Sequence, residues 1–296
     1  MERTYRNLQR ISGSFYVSLP KKWVESFNLA SKSPIMIDVR SDGSLLISPK
    51  HKEDSVRSND EMVLQSSPYV AREIVKRCLS GQTNLVILSE KPIKEDLRDE
   101  IRWFVNALPN TEITEEQPQR IVVQNFGYKK IPTRKLIQRL LYLILDMFEN
   151  LENSKFKDLD YNFDQLRKFY FILVIHIRTY LRTGVYVTED KDFTPLEAMD
   201  YRMFCEKIED IGSILKNLRI SDNIKEYFNE ITNYFNDVMI AYQKNNLELA
   251  HRVWKRKDEL IDKANILISN LEYSDKEQIR ELMRIAQDCK DMVALI

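Results

Sequence analysis

The chain has 296 residues, with 45 Lys and Arg balanced by 45 Asp and Glu. That length gives room for two or three domains with ample core. Its six scattered glycines (Gly13, Gly43, Gly81, Gly127, Gly184, Gly212) exclude the clustered-glycine loops of P-loop and dinucleotide sites. His51, His176 and His251 stand alone, with no second ligand at metal spacing and no nucleophile paired with a base. The sparse, odd set Cys78, Cys205 and Cys289 reads as reduced thiols, with Cys205 and Cys289 buried in helices. No run approaches the ~18 apolar residues of a membrane span, and the basic N-terminus lacks a signal-peptide core. These absences set the expectation of a cytoplasmic chain that does not insert in membranes, needs no cofactor and is not an enzyme.

The first segment departs from neutrality. Residues 1–52 carry nine Lys/Arg and four acids, so this end is +5 and the remainder −5. Charge separated in that way marks a polyanion-binding end on an acidic body. The cations flank a compact β pattern. Phe15-Tyr16-Val17-Ser18-Leu19 alternates and stops at Pro20. Lys21–Phe27 reads as one or two helical turns with Trp23 and Phe27 inward. Ile35–Val39 then meets Leu45-Leu46-Ile47 across Asp42-Gly43, a hairpin signal. A small sheet with a basic rim suits DNA.

The run Arg6-Asn7-Leu8-Gln9-Arg10-Ile11-Ser12-Gly13-Ser14-Phe15-Tyr16-Val17-Ser18-Leu19-Pro20-Lys21-Lys22-Trp23, followed by Asp42–Ile47, resembles the AbrB-like (SpoVT/AbrB, swapped-hairpin) family over roughly residues 3–50. It is most similar to the version at the N-terminus of archaeal PhoU-like regulators. The resemblance implies a swapped-hairpin β-barrel closed by two interleaved chains, hence a homodimer on double-stranded DNA. It places Arg6, Arg10, Lys21 and Lys22 at the DNA, whereas Lys50 and Lys52 read as solubility residues. Lys32-Ser33 and Val24-Glu25 stand where the family has Gly-Asp and an Arg pair, so the contact pattern departs from the family's.

His51–Ser67 is polar and reads as a linker, with room for a short strand at Met62-Val63-Leu64. A small mixed α/β domain follows. It comprises a helix over 68–79 stopped by Ser80-Gly81, a strand at Leu85–Leu88, a helix over Pro92–Ala107, and a hairpin from Glu112–Thr114 and Arg120–Gln124. It reads equally as a spacer or a ligand-bearing domain.

From Pro132 onward only helices are expected: Thr133–Leu151, Phe163–Leu181, a helix from the Thr194-Pro195-Leu196-Glu197 capping box to Leu218, Ser221–Lys244, Asn246–Leu271, and a last helix opened by a second capping box at Ser274–Glu277. Six helices with mostly short loops suit an antiparallel bundle of two sets of three. Ile208-Glu209-Asp210-Ile211-Gly212-Ser213 and Arg284–Asp291 resemble the repeated motif of the PhoU-like family, a tandem of three-helix bundles. That resemblance implies carboxylates at i, i+4, which share a helix face. Here the pairs are eroded to Glu209/Ser213, Phe163/Arg167 and Met283/Gln287, and only Asp258/Asp262 is intact. One pair supplies too few oxygens for a tight divalent site, so no metal is expected. A charged, solvated face explains Asp258 and Asp262 as well.

The sequence thus reads as a multi-domain α+β chain: residues 1–52 AbrB-like, 53–67 linker, 68–131 mixed α/β, and 132–296 PhoU-like helical. The expected function is DNA-binding transcriptional regulation, tied through the resemblance to phosphate uptake or another nutrient signal, with a protein partner on the helical half. The competing expectations are a metal-dependent signalling adaptor of phosphate transport and an antitoxin, the latter disfavoured by the long chain after the head.

Overall fold

The computed structural model describes residues 5–39, 43–49, 61–127, 131–183 and 194–296. Asp42 of the expected turn, Lys50, Lys52 and residues 53–60 of the expected linker lie outside the described residues. The chain divides into two compact units, 1–58 and 59–296.

The first unit holds two separate hairpins. Strands β1 (Gln9–Ile11) and β2 (Ser14–Tyr16) pair antiparallel across Ser12-Gly13. Both loop residues have positive φ, +49° and +89°, as a two-residue hairpin of the tight primed type requires. Strand β1 is not among the elements that the sequence pattern predicts. A short helix α1 (Lys21–Ser26) follows, then β3 (Ile35–Val39) and β4 (Leu45–Pro49), whose pairing matches the expected hairpin. Among the described residues the hairpins form two two-stranded sheets and no closed barrel. One expectation needs correction. Trp23 and Phe27 touch, with ring centroids 5.4 Å apart, yet α1 buries no residue and Phe27 is exposed.

The second unit begins with an α/β layer. Strand β5 (Met62–Gln65), helix α2 (Val70–Leu79), β6 (Asn84–Leu88), α3 (Glu95–Ala107), β7 (Thr111–Gln117) and β8 (Arg120–Asn125) form one sheet of order β5-β6-β8-β7. Strands β5 and β6 are parallel, so β5-α2-β6 is a crossover unit, and the segment expected as linker contributes an edge strand. Leu64, Leu85, Ile87, Ile121 and Val123 alternate onto one face and meet Ile74 and Ile101 of the two helices. Gly81, with φ +90°, ends α2 as its position predicts. Buried Arg98 of α3 ties the helix to β7, donating to Glu116 Oε1 at 2.9 Å and to the carbonyls of Ile93 and Gln117.

Six helices follow: α4 (Thr133–Glu152), α5 (Phe156–Thr183), α6 (Pro195–Asn217), α7 (Lys225–Lys244), α8 (Leu247–Asn270) and α9 (Tyr273–Val293). Helices α4–α6 pack pairwise, as do α7–α9, and the sets join through α6–α9 and α4–α7 over one continuous core. Gly212 sits where α6 crosses α4 and α5: a Cβ there would fall 2.2 Å from Leu166 Cδ2 and 3.3 Å from Ile144 Cδ1, so a larger residue requires the Leu166 side chain to move. The α/β layer rests on α5, where Arg167 lies over the Trp103 ring at 4.5 Å and Arg182 donates to the Ser80 carbonyl.

The Thr194/Glu197 capping box forms as expected, the Glu197 N–H donating to Thr194 Oγ1 at 3.2 Å. The second expected box does not. Helix α9 starts earlier, with Glu272 at the N-cap; Glu277 meets Arg280 instead, and Asp275, buried in the first turn, accepts from Ser221 Oγ and Asn223 Nδ2. Helix α5 also starts about two turns before Phe163.

Candidate nucleic-acid interface

The four residues expected at DNA all lie in the first unit and all are exposed. Arg10 stands on β1 directly opposite Phe15, and Arg6 precedes the strand, its guanidinium reaching only the Tyr5 carbonyl at 3.3 Å. Lys21 and Lys22 open α1, set there by Pro20, whose fixed φ and extended ψ deliver the chain into the helix. Lys21 comes within 3.7 Å of Glu25, but with those side chains 88% and 62% exposed the pair is worth little. Among the described residues, Arg6, Arg10 and Lys22 have no carboxylate partner, which leaves three full positive charges free for an anion.

The same unit exposes its apolar side chains. On the β3–β4 hairpin, alternation and register place Ile35, Ile37 and Val39 across from Pro49, Ile47 and Leu45 on one face. Ile37 is 53% exposed, Val39 78% and Leu45 58%. Phe15, Tyr16 and Ile11 of the first hairpin are exposed as well.

The helical half brings no ligand set together. Asp258 and Asp262 share an exposed face of α8, where Asp258 meets Lys257 at 3.4 Å. Glu209 is partly buried, and burial raises its pKa against the pull of Arg167. Gln287 donates to Asp291 at 2.8 Å, and Phe163 is a core residue. Among the described residues no three His, Cys, Asp or Glu are grouped for a metal. Asp210, Ser213, Asn217, Gln278, Glu281 and Arg284 line an open groove of about 370 Å³ between α6 and α9. The three cysteines are buried free thiols, and burial pushes Cys78 up to about 12 and raises Cys205 and Cys289 too, which suppresses thiolate chemistry. His176 is buried in α5, as its apolar surroundings predict.

One charged cluster escaped sequence reading because its members lie 81 residues apart: Lys207 of α6 donates to Asp288 of α9 at 2.8 Å and also meets Asp291 at 3.2 Å. The hydrogen bond to Asp288 raises the Lys207 pKa, whereas burial raises that of Asp288 despite the lysine. The raised lysine contributes stability below the ordinary lysine range and loses it as pH climbs through its folded pKa. Lys207→Met should therefore cost about 1–2 kcal/mol near neutral pH, where it strands a charged Asp288. The deficit should shrink toward acid pH, where the raised Asp288 carboxyl is protonated and needs no cation. Urea unfolding across a pH series measures it, and a deficit that grows in acid contradicts the assignment.

A family described as antidote-toxin recognition MazE, bacterial antitoxin, matches residues 8–55. No curated protein and no solved structure matches the chain. Among the described residues, no helix is long and apolar enough to cross a membrane.

Proposed function

We propose that the chain is a homodimeric transcriptional regulator that binds double-stranded DNA through residues 1–52 and works in the cytoplasm by binding, without turnover. One observation carries the reading: the unit matched by the antitoxin-type family holds exposed Arg6, Arg10 and Lys22, which have no carboxylate partner among the described residues, beside apolar strand faces left open by a single chain. A DNA-binding head that dimerises uses both features. The PhoU-like resemblance of Ile208–Ser213 and Arg284–Asp291, together with the packing of the helices in two sets of three, supports a regulatory role for the helical half. On that reading it couples DNA binding to phosphate uptake or another nutrient signal through a protein partner.

The test is Lys21→Ala with Lys22→Ala in the full chain. The double variant should weaken duplex binding across unrelated sequences and flatten the slope of log K against log salt by up to about two units. A correctly folded variant that binds as tightly, with the same slope, removes this patch from the interface. The match to an antitoxin family favours a second reading, an antitoxin. That reading requires a stable complex with a toxin that loses activity when bound, and duplex binding alone does not supply it. A wild-type chain that ignores duplex DNA returns the signalling-adaptor reading.

A further inference from the structure

Four cations of α6, α8 and α9 have acid partners close by: Arg202 meets Glu206, Lys207 meets Asp288, Arg256 meets Asp237 and Arg284 meets Glu281. Among the described residues helix α4 has no such pair, and the sequence around its first turns is free of acids. From Gln117 to Leu145 the sequence contains no Asp or Glu, while Arg134, Lys135 and Arg139 fall on the first two turns of α4. All three are exposed, because Leu136, Ile137, Leu140 and Leu141 take the buried side of the helix. None has a carboxylate partner among the described residues, and Arg139 only lays its guanidinium over Phe169 at 5.9 Å.

Folding does not account for this placement. Cations at a helix start face the positive end of the macrodipole, an arrangement unfavourable by several tenths of a kcal/mol each. An anion held across them relieves both the dipole and the mutual repulsion. We propose that the outer face of α4 is a second contact surface for the phosphates of duplex DNA, separate from the basic head; this rests on the DNA-binding reading above.

The shape of the face selects the partner. A convex helix surface has no pocket for a small anion, but suits a rod with one charge per ~3.4 Å of each strand. An acidic amphipathic peptide would need an apolar stripe to dock on, and Tyr142 is the one large hydrophobic side chain that α4 exposes. Gln138, on the same side, adds a neutral hydrogen-bonding group of the kind that contacts phosphate oxygens.

The experiment uses the full chain and a duplex of arbitrary sequence, with fluorescence anisotropy read across a salt series. Arg134→Glu, Lys135→Glu and Arg139→Glu together should weaken binding at least about tenfold at moderate salt and reduce the log–log slope by about two to three units. The variant should stay folded, since acids at a helix start agree with the dipole, and circular dichroism checks it. The lysine version, Arg134→Lys with Arg139→Lys, should bind like the wild type. Unchanged affinity and slope in a folded triple-Glu variant, beside a wild type that binds and a weakened Lys21→Ala, Lys22→Ala variant, overturn the α4 surface and leave the head reading standing. A wild type that binds no duplex overturns both. Unchanged duplex binding together with loss of capture by anionic phospholipid vesicles would assign the face to a membrane surface and overturn the proposal.

Discussion

Replacing Phe148 by alanine is expected to lower the unfolding free energy of the second unit by about 3–5 kcal/mol. Phe148 is 1% exposed and joins the two three-helix sets, its ring lying 5.7 Å from Phe228 and 5.6 Å from Phe235, both on α7. Truncation removes the transfer free energy of the ring and leaves a cavity between rigid aromatic neighbours that cannot collapse into it. For a unit of this size each kcal/mol shifts the melting temperature by roughly 2–4 °C, so the midpoint should fall by at least several degrees. Tyr142→Ala, on the solvent side of the same helix, should stay within about 0.5 kcal/mol of wild type. Equal costs at the two sites would contradict the orientation of α4. Because one core runs through both sets, Phe148→Ala should shift the whole bundle in one transition.

The helices were legible because each carries a wide apolar stripe closed by local punctuation. Thr194 with Glu197, and Asn246 accepting from Leu249 N at 3.0 Å, are side chains whose capping chemistry shows in sequence. The failures have a common cause, a long-range partner that local pattern cannot show. Ser274–Glu277 has the letters of a capping box, but the helix already begins at Tyr273, and its first turn is tied by Asp275 to Ser221 and Asn223, more than fifty residues away. Strand β5 was legible as a short strand at Met62–Leu64, but its parallel pairing with β6, which makes it part of the sheet, was not. At the candidate interface the cations could be read from sequence, since charge and their position around an apolar strand are local properties. Which acid a cation meets could not: Lys207 finds Asp288 and Arg256 finds Asp237, 81 and 19 residues away, rather than the acids beside them in sequence.

The largest effect on assembly is expected from Ile37→Asp. In the first unit Ile37 lies opposite Ile47, flanked on its face by Ile35, Val39 and Leu45, and it is 53% exposed in a single chain. A two-stranded hairpin is marginal in water, and these two share no sheet. Each such side chain gains about 1.5–3 kcal/mol on full burial, so several together can drive a second copy to close over them. A carboxylate at the centre of that face must then be buried unpaired or prevent closure, and the cost of burying it exceeds what one isoleucine contributes. The wild-type chain should sediment at twice its 35.2 kDa monomer mass, and the variant at the monomer mass with its helical content intact. Weakened duplex binding should accompany the change, because a monomer presents half the cations of a dimer. A wild type that is monomeric at all accessible concentrations, or an Ile37→Asp chain that still dimerises through its first unit, would mean that these open strands do not form the dimer interface.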